Sequence, residues 1–239
     1  LATRQISSDR ACALLSVIKE FKNLSLTDLE VIAQACQWYR YEAGEEIVRY
    51  HDDSNSVFFI TQGEVRVNYN SISGKEVILC DLVAGEIFGE LTAIDGQSRS
   101  ANVVAKTSTL LASISSSAFQ ELIFSNRQIA AAIFQRLTGQ IRRLTERVFE
   151  SDTLKVPNRI RAKLLHLAKT QATISNNKAV ISAVPTHVEL ACLIGTHREA
   201  VTRELNELEA ENIILRKGDE VHILDVARLA ELVEGVRCI

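Results

Sequence analysis

The feature that most limits how this chain can fold is a change in the spacing of its apolar residues at Tyr39. Residues 6–38 have the caps and apolar spacing of short helices, whereas from Tyr39 to Ile114 short β-rich runs alternate with clusters of Gly, Asn, Asp and Ser. Eight or so short strands at such close spacing predict an antiparallel sandwich or barrel.

A second change follows at Ser117, from where the spacing is helical to about Glu150. Within this stretch the apolar residues alternate at spacings of four and three: Ala130, Phe134, Leu137, Ile141, Leu144 and Val148. Such a seam is typical of a coiled coil between two chains, but a helix that packs on its own domain explains it equally well.

Beyond residue 150 the pattern predicts a second domain. The stretch 151–157 breaks the helical spacing, and Pro157 fits the first turn of a new helix, so we expect a hinge at 151–155. The elements predicted beyond the hinge are a helix at 159–169, a short strand at 179–183, two helices around Gly195, and a hairpin that joins 213–215 to 221–224.

Composition limits the class of protein. The longest uninterrupted apolar run, 129–134, is too short to span a membrane, and residues 1–5 lack a signal-peptide pattern, so a cytoplasmic protein is expected. The five cysteines are odd in number and widely separated, which predicts neither a disulfide framework nor a zinc site. With a net charge of −3, any contact with nucleic acid must come from a local arrangement of side chains.

The stretch 85–101 carries an acceptor and a cation at its two ends. Glu90 suits a sugar hydroxyl, whereas Arg99 and its neighbour Ser100 offer a guanidinium and a hydroxyl that suit a phosphate. Gly89 stands where a ligand could approach the backbone. One nucleotide carries both groups, so the spacing predicts a single bridging ligand, although a turn and a surface ion pair are the simpler explanation.

This stretch resembles the phosphate-binding cassette of cyclic-nucleotide-binding domains. Phe88-Gly89-Glu90-Leu91 and Arg99-Ser100-Ala101 stand in order at the spacing of that cassette, with matching strands at 58–65 and 74–79. The wider resemblance, from about Asp28 to about Asp225, is to the CRP/FNR family, the cAMP receptor protein family of bacterial transcription regulators. It implies an α+β fold, in which an antiparallel, jelly-roll-like β-roll with a long dimerisation helix (about 117–150) forms domain 1–151. A winged helix-turn-helix domain follows at 152–239.

The resemblance also implies a role for each residue of the cassette. Arg99 and Ser100 would hold the cyclic phosphate, backbone N–H groups near Gly89 and Ala101 would add donors, and Glu90 would accept from the ribose 2′-hydroxyl. The base would lie between the strand at Leu79 and Cys80 and the long helix. The implied ligand site comprises Leu79, Cys80, Gly89, Glu90, Leu91, Arg99, Ser100, Ala101, Leu144 and Thr145.

The base contact departs from the family pattern. Leu144 and Thr145 stand where a relative has adjacent Thr and Ser, so one polar contact to the base is missing. Discrimination between adenine and guanine should weaken in consequence. We therefore expect cAMP to bind, with cGMP as a second ligand.

A second motif, at 186–205, has the helix-turn-helix form. Thr196 is expected to cap the second helix, whose first residues would reach the major groove of DNA. The resemblance implies that Arg198, Glu199 and Arg203 read bases in TGTGA-type half-sites. His197 and Thr202 would contact phosphates. A solvated helix face with an ion pair between Glu199 and Arg203 is the simpler explanation.

Together these features imply a homodimeric, allosteric transcription regulator that binds a cyclic nucleotide and then a two-fold symmetric DNA site. RNA polymerase is a further expected partner, and neither a metal nor another cofactor is expected. An enzyme is not expected, because the cassette supplies no metal-ligand cluster and no general base aimed at phosphorus. Two alternatives remain: a cyclic-nucleotide-binding regulatory protein that acts through protein contacts, and a family member gated by a redox or gas signal.

Overall fold

Short strands occupy the stretch in which the sequence pattern predicts them. The computed structural model describes residues 6–70, 76–182 and 184–234, and the chain divides into two units, Leu1–Gln140 and Ile141–Ile239. The expectations for residues 1–5, Gly74, Ala183 and Cys238 lie outside the described residues. The domain boundary at 151/152 stays a prediction.

The first unit begins with helices α1 (Ser8–Leu15) and α2 (Leu26–Ala35), which are separated by a 3₁₀ turn at Lys19–Phe21. Ser25 caps α2: its hydroxyl accepts from the Asp28 N–H, and the Asp28 carboxylate accepts from the Ser25 N–H. The strands that follow are β1 (Gln37–Tyr41), β2 (Glu46–Val48), β3 (Val57–Gln62), β4 (Glu64–Asn70), β5 (Glu76–Val83), β6 (Ile87–Phe88), β7 (Asn102–Ala105) and β8 (Thr109–Ile114), with the short helix α3 (Glu90–Asp95) between β6 and β7.

Two antiparallel sheets form from these strands, in the orders β1-β8-β3-β6 and β2-β7-β4-β5. Strand β3 is buried on both faces, because successive side chains of a strand point to opposite sides. Val57 and Phe59 pack under the helices, whereas Phe58 and Ile60 join the core inside the roll. The cassette is therefore attached to the most deeply buried part of the first unit, where β6 pairs with β3.

The predicted single helix from 117 to 150 is wrong, because two helices occupy this stretch. Helix α4 (Ser116–Ser125) ends at Asn126, whose backbone is extended, and α5 (Arg127–Thr153) follows. The Asn126 side-chain oxygen accepts from the N–H groups of Gln128 and Ile129, which caps the new helix. All of the predicted seam lies on α5.

The second unit contains helix α6 (Val156–Gln171) after a break at Leu154 and Lys155, with Pro157 in its first turn as the sequence predicts. Strand β9 (Ala179–Ile181) and helices α7 (His187–Ile194) and α8 (Arg198–Ala210) come next. A hairpin of β10 (Ile214–Lys217) and β11 (Glu220–Ile223) pairs with β9, and α9 (Val226–Glu234) closes the described chain. The sequence pattern gave no indication of α9.

An ion-pair network ties three strands of the second sheet together. Arg66 on β4 donates two hydrogen bonds to the Asp81 carboxylate on β5, at 2.7 and 2.9 Å. Lys106, which follows β7, donates to the same carboxylate at 2.9 Å. Burial alone would raise the pKa of Asp81, but the hydrogen bonds from these two cations hold the pKa below its usual value.

We predict that Asp81→Asn lowers the free energy of unfolding by about 1 kcal/mol at neutral pH, since the network loses its shared carboxylate. Because the folded-state pKa of Asp81 is depressed, this stabilisation is present above the unfolded-state pKa and is lost as the pH falls through the folded-state value. Urea unfolding across the acidic range should show wild type and variant converging. Asp53→Asn changes an exposed aspartate and is the matched control; a deficit that is the same at every pH would contradict the assignment.

Candidate ligand pocket and nucleic-acid interface

Gly89 and Arg99 fit against each other at the start of α3. Gly89 has a φ of 82°, and a Cβ atom there would lie 2.6 Å from Arg99 Nη1 and 2.8 Å from the Ser56 carbonyl oxygen. Both the backbone angle and the lack of space therefore require glycine. The Arg99 Nη1 group donates to the Gly89 carbonyl at 3.1 Å, so the closeness serves to hold the guanidinium.

Arg99 is a buried cation surrounded by neutral acceptors. Its side chain also donates to Ser54 Oγ at 3.1 Å and to the Ser56 carbonyl at 2.7 Å. Burial lowers the pKa of Arg99, and the nearby charges of Asp52 and Glu90 act in the opposite direction. Arginine nevertheless stays charged in proteins. Within residues 6–70, 76–182 and 184–234 no carboxylate lies within ion-pair distance of the guanidinium, so its hydrogen bonds all go to neutral oxygens.

Glu90, the first residue of α3, places a carboxylate beside this cation. The residue is 3% exposed, and two residues of the long helix α5 approach its carboxylate. Gln140 Nε2 donates to Glu90 Oε1 at 3.3 Å, and Arg136 Nε lies 3.8 Å from the same oxygen. A buried acceptor and a buried cation are thus brought together, as a sugar phosphate would need.

The remaining predicted ligand residues lie on β5, on α5 and next to the buried pair in sequence. Leu79 and Cys80 are exposed in the middle of β5, which continues to Val83. Leu144 and Thr145 are exposed on α5 beyond the first unit, and Thr145 donates to the Ile141 carbonyl at 3.0 Å. The last three residues flank the buried pair in sequence, with Ala101 buried and Leu91 and Ser100 exposed.

Sequence reasoning missed four residues of this pocket: Ser54, Ser56, Arg136 and Gln140. The two serines contact Arg99 across more than forty positions of chain, with one contact made by a backbone carbonyl, and no local pattern marks such contacts. Arg136 stands next to the apolar seam, where an arginine is usually solvated, yet its side chain is only 10% exposed.

The two helices of the predicted helix-turn-helix are present, but the turn between them differs from the prediction. Thr186 and Glu189 form a capping box that begins α7, and Gly195, with a φ of 69°, ends it. Thr196 does not cap the next helix: it is buried, and its N–H donates to the Ala191 carbonyl at 2.9 Å. Helix α8 begins at Arg198, with His197 at the cap position, because the turn that closes α7 uses Thr196.

The outer face of α8 presents the predicted base-reading residues. An open depression of about 460 Å³ is lined by Arg198, Glu199, Thr202, Arg203 and Asn206. In the part of the chain that the structure describes, Glu199 and Arg203 form no ion pair, so the base-reading role of these residues and a plain solvated face both stay predictions. Asn206 was not predicted, and it accepts a hydrogen bond from Arg216 at 2.7 Å.

Thr202 is engaged within the protein. Its hydroxyl donates to the Arg198 carbonyl at 3.1 Å and lies 2.9 Å from Nδ1 of His187. Burial, together with Arg216 and Arg198, lowers the pKa of His187, so this imidazole favours its neutral form. Thr202 therefore links the recognition face to the start of α7.

A buried ion pair connects the inner face of α8 to α6. Glu204 is 2% exposed and pairs with Arg161 of α6, while Val201 and Leu205 pack in the core of the second unit. Breaking a buried pair leaves an uncompensated charge, so this pair restricts how α8 can be oriented on α6.

Comparisons with known proteins agree with both halves of this description. The family model of the cyclic nucleotide-binding domain matches residues 38–126, and that of the Crp-like helix-turn-helix domain matches 158–232. The cAMP-activated global transcriptional regulator CRP of Salmonella typhimurium is 30% identical over 194 residues, which cover 81% of this chain and 92% of that protein. The regulator Vfr of Pseudomonas aeruginosa is 29% identical over 197 residues, with the same coverage.

Solved structures give the same fold. A mutant of CooA from Carboxydothermus hydrogenoformans has a TM-score of 0.76 at 20% identity, covering 85% of this chain and 89% of its own. A CRP/FNR-family transcriptional regulator from Thermus thermophilus has a TM-score of 0.62 at 29% identity, with coverage of 83% and 99%. The predicted fold class is thereby confirmed. Among the described residues no helix has the length and apolar composition needed to cross a membrane.

The two family models match a cyclic nucleotide-binding domain followed by a helix-turn-helix domain, and both relatives align with most of the chain. With 30% identity maintained over 81% of its length, this chain belongs to the CRP/FNR family of transcription regulators, which are non-enzymatic DNA-binding proteins.

Proposed function

We propose that this chain is a homodimeric transcription regulator that binds a 3′,5′-cyclic nucleotide in the pocket of Arg99 and Glu90 and then binds DNA through α8. The observation that carries the proposal is the buried Arg99 guanidinium, which donates to three neutral oxygens, forms no ion pair among the described residues and has the buried Glu90 carboxylate nearby. A cyclic phosphate would pair with the Arg99 guanidinium, and a ribose hydroxyl would meet the Glu90 carboxylate.

Binding of phosphate at Arg99 would exchange neutral acceptors for charged ones. Charge-assisted hydrogen bonds are roughly twice as strong as neutral ones, so the exchange is favourable even though the side chain is already bonded. Ser100 is exposed next to it and adds a hydroxyl donor, and the backbone near Gly89 and Ala101 adds N–H groups.

The nucleobase would be contacted by Leu79 and Cys80 from β5 and by Leu144 and Thr145 from α5. Only Thr145 among them has a hydroxyl, which can turn from the Ile141 carbonyl to serve either an adenine or a guanine. We therefore propose cAMP as the ligand and cGMP as a second one.

A second copy of this chain is the partner that α5 requires. Four seam residues are more than half exposed, at 65, 64, 57 and 61%, namely Phe134, Ile141, Leu144 and Val148. An apolar seam at heptad spacing buries this surface against an identical helix. Two copies would then present two α8 helices to successive major grooves, roughly 34 Å apart.

DNA is favoured over a protein partner because the reading residues of α8 are exposed and unpaired with one another. Arg198 and Arg203 suit guanine, and Glu199 suits cytosine, as a TGTGA-type half-site requires. A bacterial regulator that binds chromosomal DNA would act in the cytoplasm and work together with RNA polymerase.

We predict that Arg99→Gln weakens cAMP binding by about a hundredfold or more, because charge-assisted bonds to the phosphate are lost. Isothermal titration of the purified protein with cAMP and cGMP measures this. The matched control is Arg49→Gln, which changes an exposed arginine that follows β2 and pairs with Glu46. This variant should bind both nucleotides normally. Unchanged affinity in Arg99→Gln would refute the pocket; cAMP binding without any cGMP binding would remove the second ligand.

We predict that Arg198→Ala weakens binding to a symmetric TGTGA-type site by about 10- to 100-fold and relaxes the preference for the guanine it contacts. Fluorescence anisotropy with the specific site and with base-substituted sites gives both numbers. Arg228→Ala removes an exposed arginine of α9 and should leave both unchanged. If specific binding survives in Arg198→Ala, the assignment of the reading residues is wrong.

We predict that Ile141→Glu dissociates the dimer, since a charge at the centre of the seam cannot be buried against its own copy. Sedimentation equilibrium should give the mass of one chain for the variant and of two for the wild type. The neighbouring Arg142→Glu changes an exposed position beside the seam and should stay dimeric. A monomeric wild type would disprove the role of the seam.

A further inference from the structure

Arg136 lies between two buried carboxylates. Its side chain is 10% exposed, with Nη1 3.6 Å from Glu20 Oε1 and Nε 3.8 Å from Glu90 Oε1. The Nη2 group donates to the backbone carbonyl of Ile87, which fixes the guanidinium beside the first residue of the cassette.

The guanidinium is shared between the carboxylates without closing on either of them. Both distances exceed that of a hydrogen bond, and Arg136 Nε and Glu20 Oε2 are buried with no hydrogen-bond partner among the residues that the structure describes. Arg136 and Gln140 both approach Oε1 of Glu90, so both side chains lie where a ligand hydroxyl would meet this carboxylate.

Glu20 is held firmly in this position. The neighbouring Lys19 donates its N–H to the Gly85 carbonyl at 3.0 Å and pairs with Glu86 at 3.0 Å. A Cβ atom on Gly85 would lie 2.8 Å from the Val17 carbonyl oxygen, so the two segments are in close contact. Burial raises the pKa of Glu20 above its usual value, and the nearby charge of Arg136 acts in the opposite direction.

We propose that Glu20 is a positioning residue for ribose recognition: it draws Arg136 away from Glu90 and so keeps the Glu90 carboxylate open to the 2′-hydroxyl of the ligand. The inference rests on the proposed function, in which Glu90 meets a ribose. It adds that the preference for ribose over 2′-deoxyribose depends on a residue that does not touch the ligand.

The physical basis is competition for one cation. Without the charge on Glu20, Arg136 has a single anionic partner, and closing the 3.8 Å gap to Glu90 becomes favourable in a site shielded from water. A carboxylate that accepts charge-assisted bonds from Arg136 is a weaker acceptor for a neutral hydroxyl. Removing the charges of both Glu20 and Arg136 should make the Glu90 carboxylate available to the ribose hydroxyl again.

The test is the ratio of the dissociation constants for 2′-deoxy-cAMP and cAMP, measured by calorimetry. In Glu20→Gln, which keeps the shape of the side chain, we expect cAMP binding to weaken about tenfold and 2′-deoxy-cAMP binding to stay unchanged. The double variant Glu20→Gln, Arg136→Gln should regain the wild-type ratio. The control Glu86→Gln removes the carboxylate that pairs with Lys19, next to Glu20 in sequence, and should leave the ratio of dissociation constants unchanged.

The outcomes separate this inference from the proposed function. A wild type that binds neither nucleotide refutes the proposed function itself. A wild type that prefers cAMP, with the same preference in Glu20→Gln or an equal loss for both nucleotides, overturns the role of Glu20, since a merely structural anchor affects both ligands alike. If Glu20→Gln does not fold, the double variant Glu20→Gln, Arg136→Gln still tests the inference, because neither side chain of the pair is then charged. A wild-type ratio of the two dissociation constants supports the inference. A lost preference for cAMP overturns it.

Discussion

The buried guanidinium of Arg99 is the constraint on which the first unit depends. Several neighbouring positions follow from it: Gly89 must lack a Cβ, Ser56 must present its carbonyl, and Ser54 must offer a hydroxyl. Burying an unpaired charge costs several kcal/mol. Stability alone gives no reason to maintain that cost, whereas a site that receives an anion does.

The same site is connected to the element that carries the seam. Helix α5 contacts Glu90 through Gln140 and Arg136, and it continues without a break to Thr153, just before α6 begins. A ligand shifts a conformational equilibrium only through its different affinities for the two states. A nucleotide bound at Glu90 would change what Arg136 and Gln140 of α5 contact, which would give a physical route from the proposed ligand site to the helix that leads into the second unit.

Much of this architecture could be predicted from periodicity, because strands with period two and a seam with spacings of four and three are set by which side chains are buried. The break at Asn126 could not, since it depends on one side chain that caps a helix rather than on apolar spacing. The cassette motif placed Glu90 and Arg99 together. It could not reveal Arg136 or Ser56, whose roles come from contacts between distant segments and, for Ser56, from a backbone atom.

The most direct test of the central claim, that the Arg99 pocket controls DNA binding, is the affinity of the wild-type protein for a symmetric TGTGA-type duplex with and without saturating cAMP. Coupling between two such sites is typically about 1–3 kcal/mol, so cAMP should tighten DNA binding by roughly 5- to 150-fold, and DNA should tighten cAMP binding by the same factor. Equal DNA affinity in both conditions, with calorimetry showing that cAMP is bound, would contradict the claim.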